Sequence, residues 1–399
     1  MNDFTYYVPT KVIFGENAEN QCGRLIKEYS ATNVLIHFGS NRIKKSGLLQ
    51  RVEKDLDDYN ISYIEFGGVK SNPRMSLVRK GVEICKNNNI DFILSIGGGS
   101  TIDSAKAIAV GAKYNGDVAD FYKGKVELLP TLESINKGVI LTNAAAGSEM
   151  SDSSVITDDE TGLKRSCKGA FQVNKFSLLN PQLTTSLPAY QSASGGFDAA
   201  MHSIERYFST GHLSSLTRSI NIAIVKNIFQ QIKIVLKSPN DLDARGNLMW
   251  ASSLSHNSLT ELGNSTHGDW SCHQLEHELG GMFDCAHGAG IAAVFTSWAK
   301  YVYKELPSRF ADFGSDVFDL PLSGDDEKDA LRMIDRMKSF IEEIDLPSNI
   351  PDLLKKELTG KEIEELADKA SNGNTTNFGS IKVLDKKDMK HIYTCANRK

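Results

Sequence analysis

Between residues 30 and 145 the chain alternates two hydrophobic rhythms. Val34-Leu35-Ile36 is a short β-branched run closed by Gly39, and reads as a strand. Leu48 to Tyr59 spaces its apolar residues among charges at a helical period. Ile61 to Phe66 is a second strand, ended by Gly67-Gly68, and Ser76 to Asn87 is again helical. Asp91 to Ile96 is a strand that runs into Gly97-Gly98-Gly99, and Val139 to Thr142 is a further one. Strand and helix in alternation predict a mainly parallel sheet with helices on both faces.

The pattern changes at Leu187-Pro188. Proline suits a helix start, and from there the periodicity is almost wholly helical, as in Leu216 to Leu236 and Leu331 to Ile344. The 399 residues exceed one ordinary core. We therefore expect an α/β domain over 1–186 followed by an all-α domain over 187–399, with a ligand cleft between them. No repeat at solenoid periods and no low-complexity tract interrupts this plan.

Composition narrows the partners. Hydrophobic residues make up 40% and charged residues 24%, a globular balance. A formal charge of -5 gives no electrostatic reason to expect nucleic acid or an anionic membrane. The longest apolar stretch, near Ile291 to Phe295, is far too short to span a bilayer. The start, Met1-Asn2-Asp3-Phe4, lacks the apolar run of a secretory signal. The six cysteines, at 22, 85, 167, 272, 285 and 395, form no CxxC pair. These features predict reduced thiols and a cytoplasmic protein.

Two loops are candidates for phosphate binding. Ser95-Ile96-Gly97-Gly98-Gly99-Ser100-Thr101-Ile102-Asp103 lies between a strand and a helix. Glycines let the backbone approach a ligand closely, and the N–H groups of a helix start suit a phosphate. Ser100 or Thr101 is placed to cap that helix or to bond the phosphate. The stretch is neither GxGxxG nor a Walker loop, and it equally fits a tight turn with a serine cap. Thr142 with Ala144-Ala145-Ala146-Gly147-Ser148-Glu149 repeats the logic, and also fits a loop packed on the sheet.

Acidic and imidazole groups concentrate in the helical half. Asp198 and His202 are four apart, so a helix stacks them on one face, and His273 and His277 share a face in the same way. His287 follows a glycine-bearing break and precedes another helical run. Each pair alone also fits an ordinary helix-surface contact. Together they offer a carboxylate and neutral imidazoles, which suit Zn²⁺ or Fe²⁺ better than Ca²⁺ or Mg²⁺. Spacing leaves open which four of the five bind. HExxH is absent, because Gln274 follows His273, and this argues against a zincin protease.

The order of these motifs resembles the iron-dependent, group III alcohol dehydrogenases, in particular their butanol dehydrogenase branch. The likeness runs through Gly97-Gly98-Gly99-Ser100 with Asp103, Gly147-Ser148-Glu149, Gly196-Phe197-Asp198 with His202, and then His273, His277 and His287-Gly288. Pro9 to Gly15 is similar to that family's N-terminal hairpin. The resemblance spans nearly the whole chain. It implies an N-terminal dinucleotide-binding domain, a helical metal domain and a homodimer. It implies that Asp198, His202, His273 and His287 hold the metal, while His277 lies near nicotinamide and substrate in a proton path. It implies that Gly97 to Ser100 cradle the pyrophosphate. The full set of expected cofactor contacts is Gly39, Ser40, Asn41, Arg42, Gly97, Gly98, Gly99, Ser100, Asp103, Thr142, Ser148 and Lys164. Two positions depart from the family: Ala146 stands where threonine is usual, and Gly39-Ser40-Asn41-Arg42 where Gly-Gly-Gly-Ser is usual.

An acidic residue near the ribose favours NAD, and a basic one accommodates the extra phosphate of NADP. Arg42, Lys44 and Lys45 follow Gly39 with no acid before Glu53, and Arg42 is suited to a phosphate. Glu65, at the end of the second strand, is the counter-signal. NADP(H) is thus favoured over NAD(H). The expected function is a metal-dependent alcohol dehydrogenase or aldehyde reductase, with Fe²⁺ or Zn²⁺, acting on a small alcohol or aldehyde of the butanol and butanal kind. The metal is expected to act as a Lewis acid on the substrate oxygen. Three alternatives are an NAD-dependent polyol dehydrogenase, a dehydroquinate-synthase-like non-redox enzyme, and a non-catalytic binding protein. The second needs a basic phosphate cluster, and the metal helices show few basic residues; the third gives no reason for metal set and glycine loop together.

Overall fold

The structure is a computed structural model and describes residues 1–398. It contains two compact units, one formed by Tyr7–Leu187 and the other by the chain from Pro188 onward together with Met1–Tyr6.

The first unit carries strands β1 (Lys11–Phe14), β2 (Asn33–Phe38), β3 (Ser62–Phe66), β4 (Phe92–Gly97), β5 (Asn136–Leu141), β6 (Ser153–Thr157), β7 (Lys164–Lys168) and β8 (Phe176–Leu179). Six of them form one sheet in the order β1-β8-β5-β4-β2-β3, and every neighbouring pair is parallel. Its helices are α1 (Cys22–Glu28), α2 (Arg42–Lys45), α3 (Leu48–Asp58), α4 (Met75–Asn87), α5 (Gly99–Lys113) and α6 (Ala119–Tyr122). A parallel strand is buried on both faces, so each of its side chains needs a cover. Val34 and Ile36 pack in one core with Leu25 of α1 and Val52 and Leu56 of α3. Leu35, between them in sequence, packs on the opposite face with Val78 of α4 and Ile108 of α5.

This is the mainly parallel, two-faced sheet expected from the alternating pattern. One expectation fails. Pro9 to Gly15 is no hairpin: β1 is a single edge strand, paired in parallel with β8 in the register Lys11 to Phe176. Its partner is distant in sequence, which no local pattern reveals. The antiparallel ribbon of β6 and β7 was also unread, because Lys164-Arg165-Ser166-Cys167-Lys168 carries no apolar alternation.

Strand order places the site of this unit. From β2 the chain moves outward to β3, then returns to β4 on the other side of β2 and continues to β5. The loops after β2 and β4 therefore diverge, leaving a crevice beyond the carboxyl ends of these strands, where doubly wound sheets bind ligands. Gly39 follows β2, and Gly97 ends β4.

The second unit is helical: α7 (Ala189–Tyr207), α8 (Ser215–Lys237), α9 (Leu242–Ser255), α10 (Ser271–Phe283), α11 (His287–Val302), α12 (Pro307–Phe318), α13 (Asp326–Glu343), α14 (Ile350–Leu354), α15 (Gly360–Ala370) and α16 (Lys386–Ala396). Pro188 is the residue before the first turn of α7. The helix read from Leu331 begins earlier, where the Asp325 side chain accepts the Lys328 N–H. From Ser192 to Tyr207 every residue of α7 is buried, so this helix is the axis of its unit. Among the described residues no helix is long and apolar enough to cross a membrane, and all six cysteines are free thiols.

Candidate functional site

Three helices of the second unit bring the metal candidates together. Asp198 lies in the buried middle of α7. Trp270 and Asp284, both in the left-handed conformation, bound α10 and leave His273 in its first turn. The short link Asp284 to Ala286 then starts α11 at His287. Helices α7 and α11 touch at Gly288, where a Cβ would meet the Ser194 carbonyl oxygen at 2.0 Å. Only glycine admits that approach, and the approach carries His287 to Asp198.

His273 Nε2 lies 3.6 Å and His287 Nε2 3.7 Å from Asp198 Oδ1. One donor atom from each of the three lies within 4.8 Å of the others. Two ligand atoms sharing one tetrahedral ion at about 2.1 Å stand roughly 3.4 Å apart, so these separations fit a common ion. Both rings are aimed from behind. His273 Nδ1 donates to Glu205 Oε2 and His287 Nδ1 to Glu276 Oε2, and both carboxylates are fully buried. This carboxylate–imidazole arrangement turns the opposite nitrogen toward a metal. His273 Nε2 is buried with no hydrogen-bond partner, a vacancy in bonding that a cation satisfies. Burial pulls the His273 imidazole down, but Glu205 and Asp198 outweigh it and lift the group to about 9. Three buried carboxylates demand positive charge here, from a proton or from a metal ion in its place.

His202 stands beside this trio. Its Nδ1 is 3.5 Å from Asp198 Oδ1 but bonds the Asp198 main-chain oxygen at 2.9 Å, and its ring centroid is 4.5 Å from that of His273. The short carboxylate distance suggests an ion pair. Burial, with His256, His273 and Arg206 nearby, instead drives its protonation far down, and the buried geometry supports a neutral ring. With Nδ1 donating to the carbonyl, Nε2 keeps its lone pair, as a ligand requires. His277 lies one turn beyond His273, its ring stacked on His287 at 5.9 Å, and with Glu276 and His287 it forms a second group at metal-holding distance.

Glu205, Glu276 and His256 were not singled out from the sequence. The first two carried a signal. Glu205 is seven residues after Asp198 and so on the same helix face, and Glu276 lies between His273 and His277. His256, whose ring is 4.0 Å from that of His202, sits just after α9 and carried none.

In the first unit, Gly98 stands at the cap position just before α5 and no side chain caps the helix, so neither Ser100 nor Thr101 takes the cap that their position invited. The first turn is left open, as an anion site requires. A Cβ at Gly98 would meet Asn143 at 3.0 Å, and one at Gly99 would meet Ser148 Oγ at 3.3 Å and Ala146 at 3.5 Å. The second small-residue loop thus walls the first. Thr142 N–H donates to the Gly97 carbonyl. Gly39 approaches Thr101 Oγ1, so the loop after β2 reaches the same helix start. Ser40 Oγ is 3.4 Å from the Arg42 N–H, Asn41 precedes α2, and the Arg42 guanidinium bonds Ser186 Oγ. Lys44 pairs with Glu65, so that carboxylate is already engaged. Asp103 Oδ2 accepts the Val155 N–H at 2.9 Å, and Lys164 is buried at the start of β7.

Comparison with known proteins agrees with this geometry. Residues 9–181 match the family model of the iron-containing alcohol dehydrogenases, and residues 192–397 match the C-terminal model of the same family. NADH-dependent butanol dehydrogenase A of Clostridium acetobutylicum is 35% identical, with 98% of this chain and 99% of that protein aligned. NADPH-dependent aldehyde reductase YqhD of Escherichia coli is 28% identical, with coverages of 99% and 100%. The crystal structure of NADH-dependent butanol dehydrogenase A from Thermotoga maritima superposes with a TM-score of 0.94 at 32% identity, covering 99% of each chain. Two models of one family match the two halves of the chain, and a relative aligns with nearly its whole length: this chain belongs to the iron-containing alcohol dehydrogenases.

Proposed function

We propose that this metal-dependent alcohol dehydrogenase interconverts small aliphatic aldehydes and alcohols of the butanal and butanol kind, with Asp198, His202, His273 and His287 holding Fe²⁺ or Zn²⁺. The observation that carries the metal set is the convergence of His273 Nε2 and His287 Nε2 on Asp198 Oδ1, each ring braced by a buried carboxylate. When bound, the metal supplies Lewis-acid polarisation of the substrate oxygen, and the nicotinamide supplies or accepts the hydride. The protein's own part is orientation and charge. Glu205 and Glu276 fix the ring planes, and Asp198 balances the ion. His277, buried beside His287, is the candidate to hold or pass the proton. Gly97 to Ser100, Thr142 and Ser148 receive the pyrophosphate at the open start of α5, with Asp103 and Lys164 behind them.

At the loop after β2, the reading is NADP(H) in preference to NAD(H). Arg42 lies in the loop's first helical turn, and Glu65, the acid that would select NAD, is held by Lys44. The Clostridium acetobutylicum relative at 35% identity is called NADH-dependent, so the choice rests on this segment and not on kinship. Six free thiols support a reducing, cytoplasmic setting, and the family resemblance supports a homodimer.

The test is initial-rate butanal reduction by anaerobically purified protein, with NADPH and NADH side by side. Each is assayed before and after chelation and after Fe²⁺ or Zn²⁺ is restored. Activity lost on chelation and regained with metal is expected, with NADPH the better donor. Full activity in a metal-free His273→Ala variant would overturn the metal set.

A further inference from the structure

Helices α11, α13 and α16 and the turn before α14 enclose a cavity of about 290 Å³ that belongs to no part of the metal or glycine-loop site. It opens on the C-terminal half of α11. Thr296 on its wall is nine residues beyond His287, about 13 Å along the helix axis. The chain as a whole has more acids than bases, 50 against 45. This cavity reverses the balance: Lys300, Lys338 and Arg398 line it, His391 joins them, and among the described residues no carboxylate does. Asp335 and Glu342 hold Lys300 and Lys338 from outside the lining, at 3.3 Å and 3.7 Å, through half-exposed pairs. Such pairs contribute little and yield readily to a better anion.

A second observation points to a ligand. Thr296 is 8% exposed, and its Oγ1 is buried with no hydrogen-bond partner. A buried hydroxyl without a partner is costly, and rotation of the Thr296 side chain toward the cavity would let an acceptor oxygen there satisfy it. Within the lining, the Tyr301 ring lies 5.0 Å from that of His391 and offers an aromatic wall. We propose that this cavity binds a phosphate dianion, free or carried by a small organic phosphate, with Lys300, Lys338 and Arg398 on the phosphate and Tyr301 beside any organic remainder. A dianion rather than a monocarboxylate matches three cations and a spare hydroxyl donor. The volume, at the low end for ligand pockets, limits the guest to a small molecule.

The cavity contains its own reporter. Cys395 lines it, with Sγ 3.5 Å from His391 Nε2. The alkylation rate of Cys395 by iodoacetamide is followed by peptide mass spectrometry, with Cys285 as the internal reference. Millimolar inorganic phosphate or glycerol phosphate is expected to slow Cys395 at least threefold and leave Cys285 unchanged. Sodium chloride of matched ionic strength should do neither. In a K300Q/K338Q variant the protection should disappear. Stronger protection by glycerol phosphate assigns the site to organic phosphates, and equal protection assigns it to the free anion. Protection by chloride alone, protection that survives in the variant, or no protection in the wild type overturns the proposal.

Discussion

Glu205 receives the Nδ1 proton of His273 from a position seven residues along the same helix as Asp198, so one face of α7 supplies both the carboxylate at the candidate metal and the carboxylate that aims a ligand. The other oxygen of Glu205 accepts the Cys272 N–H at 2.7 Å, which ties the first turn of α10 to α7. Glu205→Gln keeps the shape but weakens the pull on the His273 proton. Metal affinity is expected to fall about 10- to 100-fold, with little change in secondary structure. Competitive chelator titration measures this, and unchanged affinity would remove Glu205 from the positioning role.

The Gly288 contact gives a second prediction. A methyl group there meets the Ser194 oxygen, so Gly288→Ala must part α11 from α7 or bend one of them. We expect a loss of about 1–3 kcal/mol of stability together with loss of bound metal, since His287 is the adjacent residue. Thermal melts and metal analysis read the two effects. A stable variant with normal metal content would show that the helices accommodate the methyl.

Arg42 tests the cofactor reading. Arg42→Ala removes the guanidinium beside Ser186 without touching the glycine loop after β4. KM for NADPH is expected to rise about tenfold while that for NADH changes little. Equal rises for both cofactors would make Arg42 a structural residue.

Lys137 gives a pH dependence. Its ammonium is wholly buried in β5, donating to the Phe171 carbonyl at 2.7 Å. Burial, with Lys106 and Lys175 nearby, brings its pKa from 10.5 down to about 7. Between pH 7 and 10.5 the unfolded chain then binds more protons than the folded one. Stability is therefore expected to rise with pH across that window and to be lost as pH falls through 7. Denaturant midpoints at pH 7, 8 and 9 should climb in the wild type and climb less in Lys137→Met. Identical slopes would mean that another group titrates.

Local patterns made most of this legible. The alternation around Val34 to Ile36 and Ile93 placed the parallel sheet, because each strand must satisfy a core on either side. Asp198 with His202 and His273 with His277 stood out by helical spacing and residue type, while the choice of His287 over His277 came only from the family resemblance. Long-range pairings were hidden. Nothing near Lys11 announces Phe176, and the cationic Lys164 to Lys168 strand is held by its partner β6 rather than by an apolar pattern. The side chains behind the ligands were missed for a related reason. Glu205 and Glu276 look like ordinary helix acids until the fold buries them.

The late arrival of β8 has a consequence for synthesis. β5 offers one edge to β4 and the other to β8, and β1, made first, has no partner but β8. At roughly 5–20 residues per second, about 8–33 seconds separate emergence of Lys11 from that of Phe176. Over the last 35 residues of that interval, roughly 2–7 seconds, the growing sheet ends at Val139-Ile140-Leu141, an apolar edge with open hydrogen-bonding groups. The nascent chain is thus most prone to self-association just before residues 176–179 leave the ribosome, and it is then that a chaperone holding this edge would most improve the yield of folded enzyme.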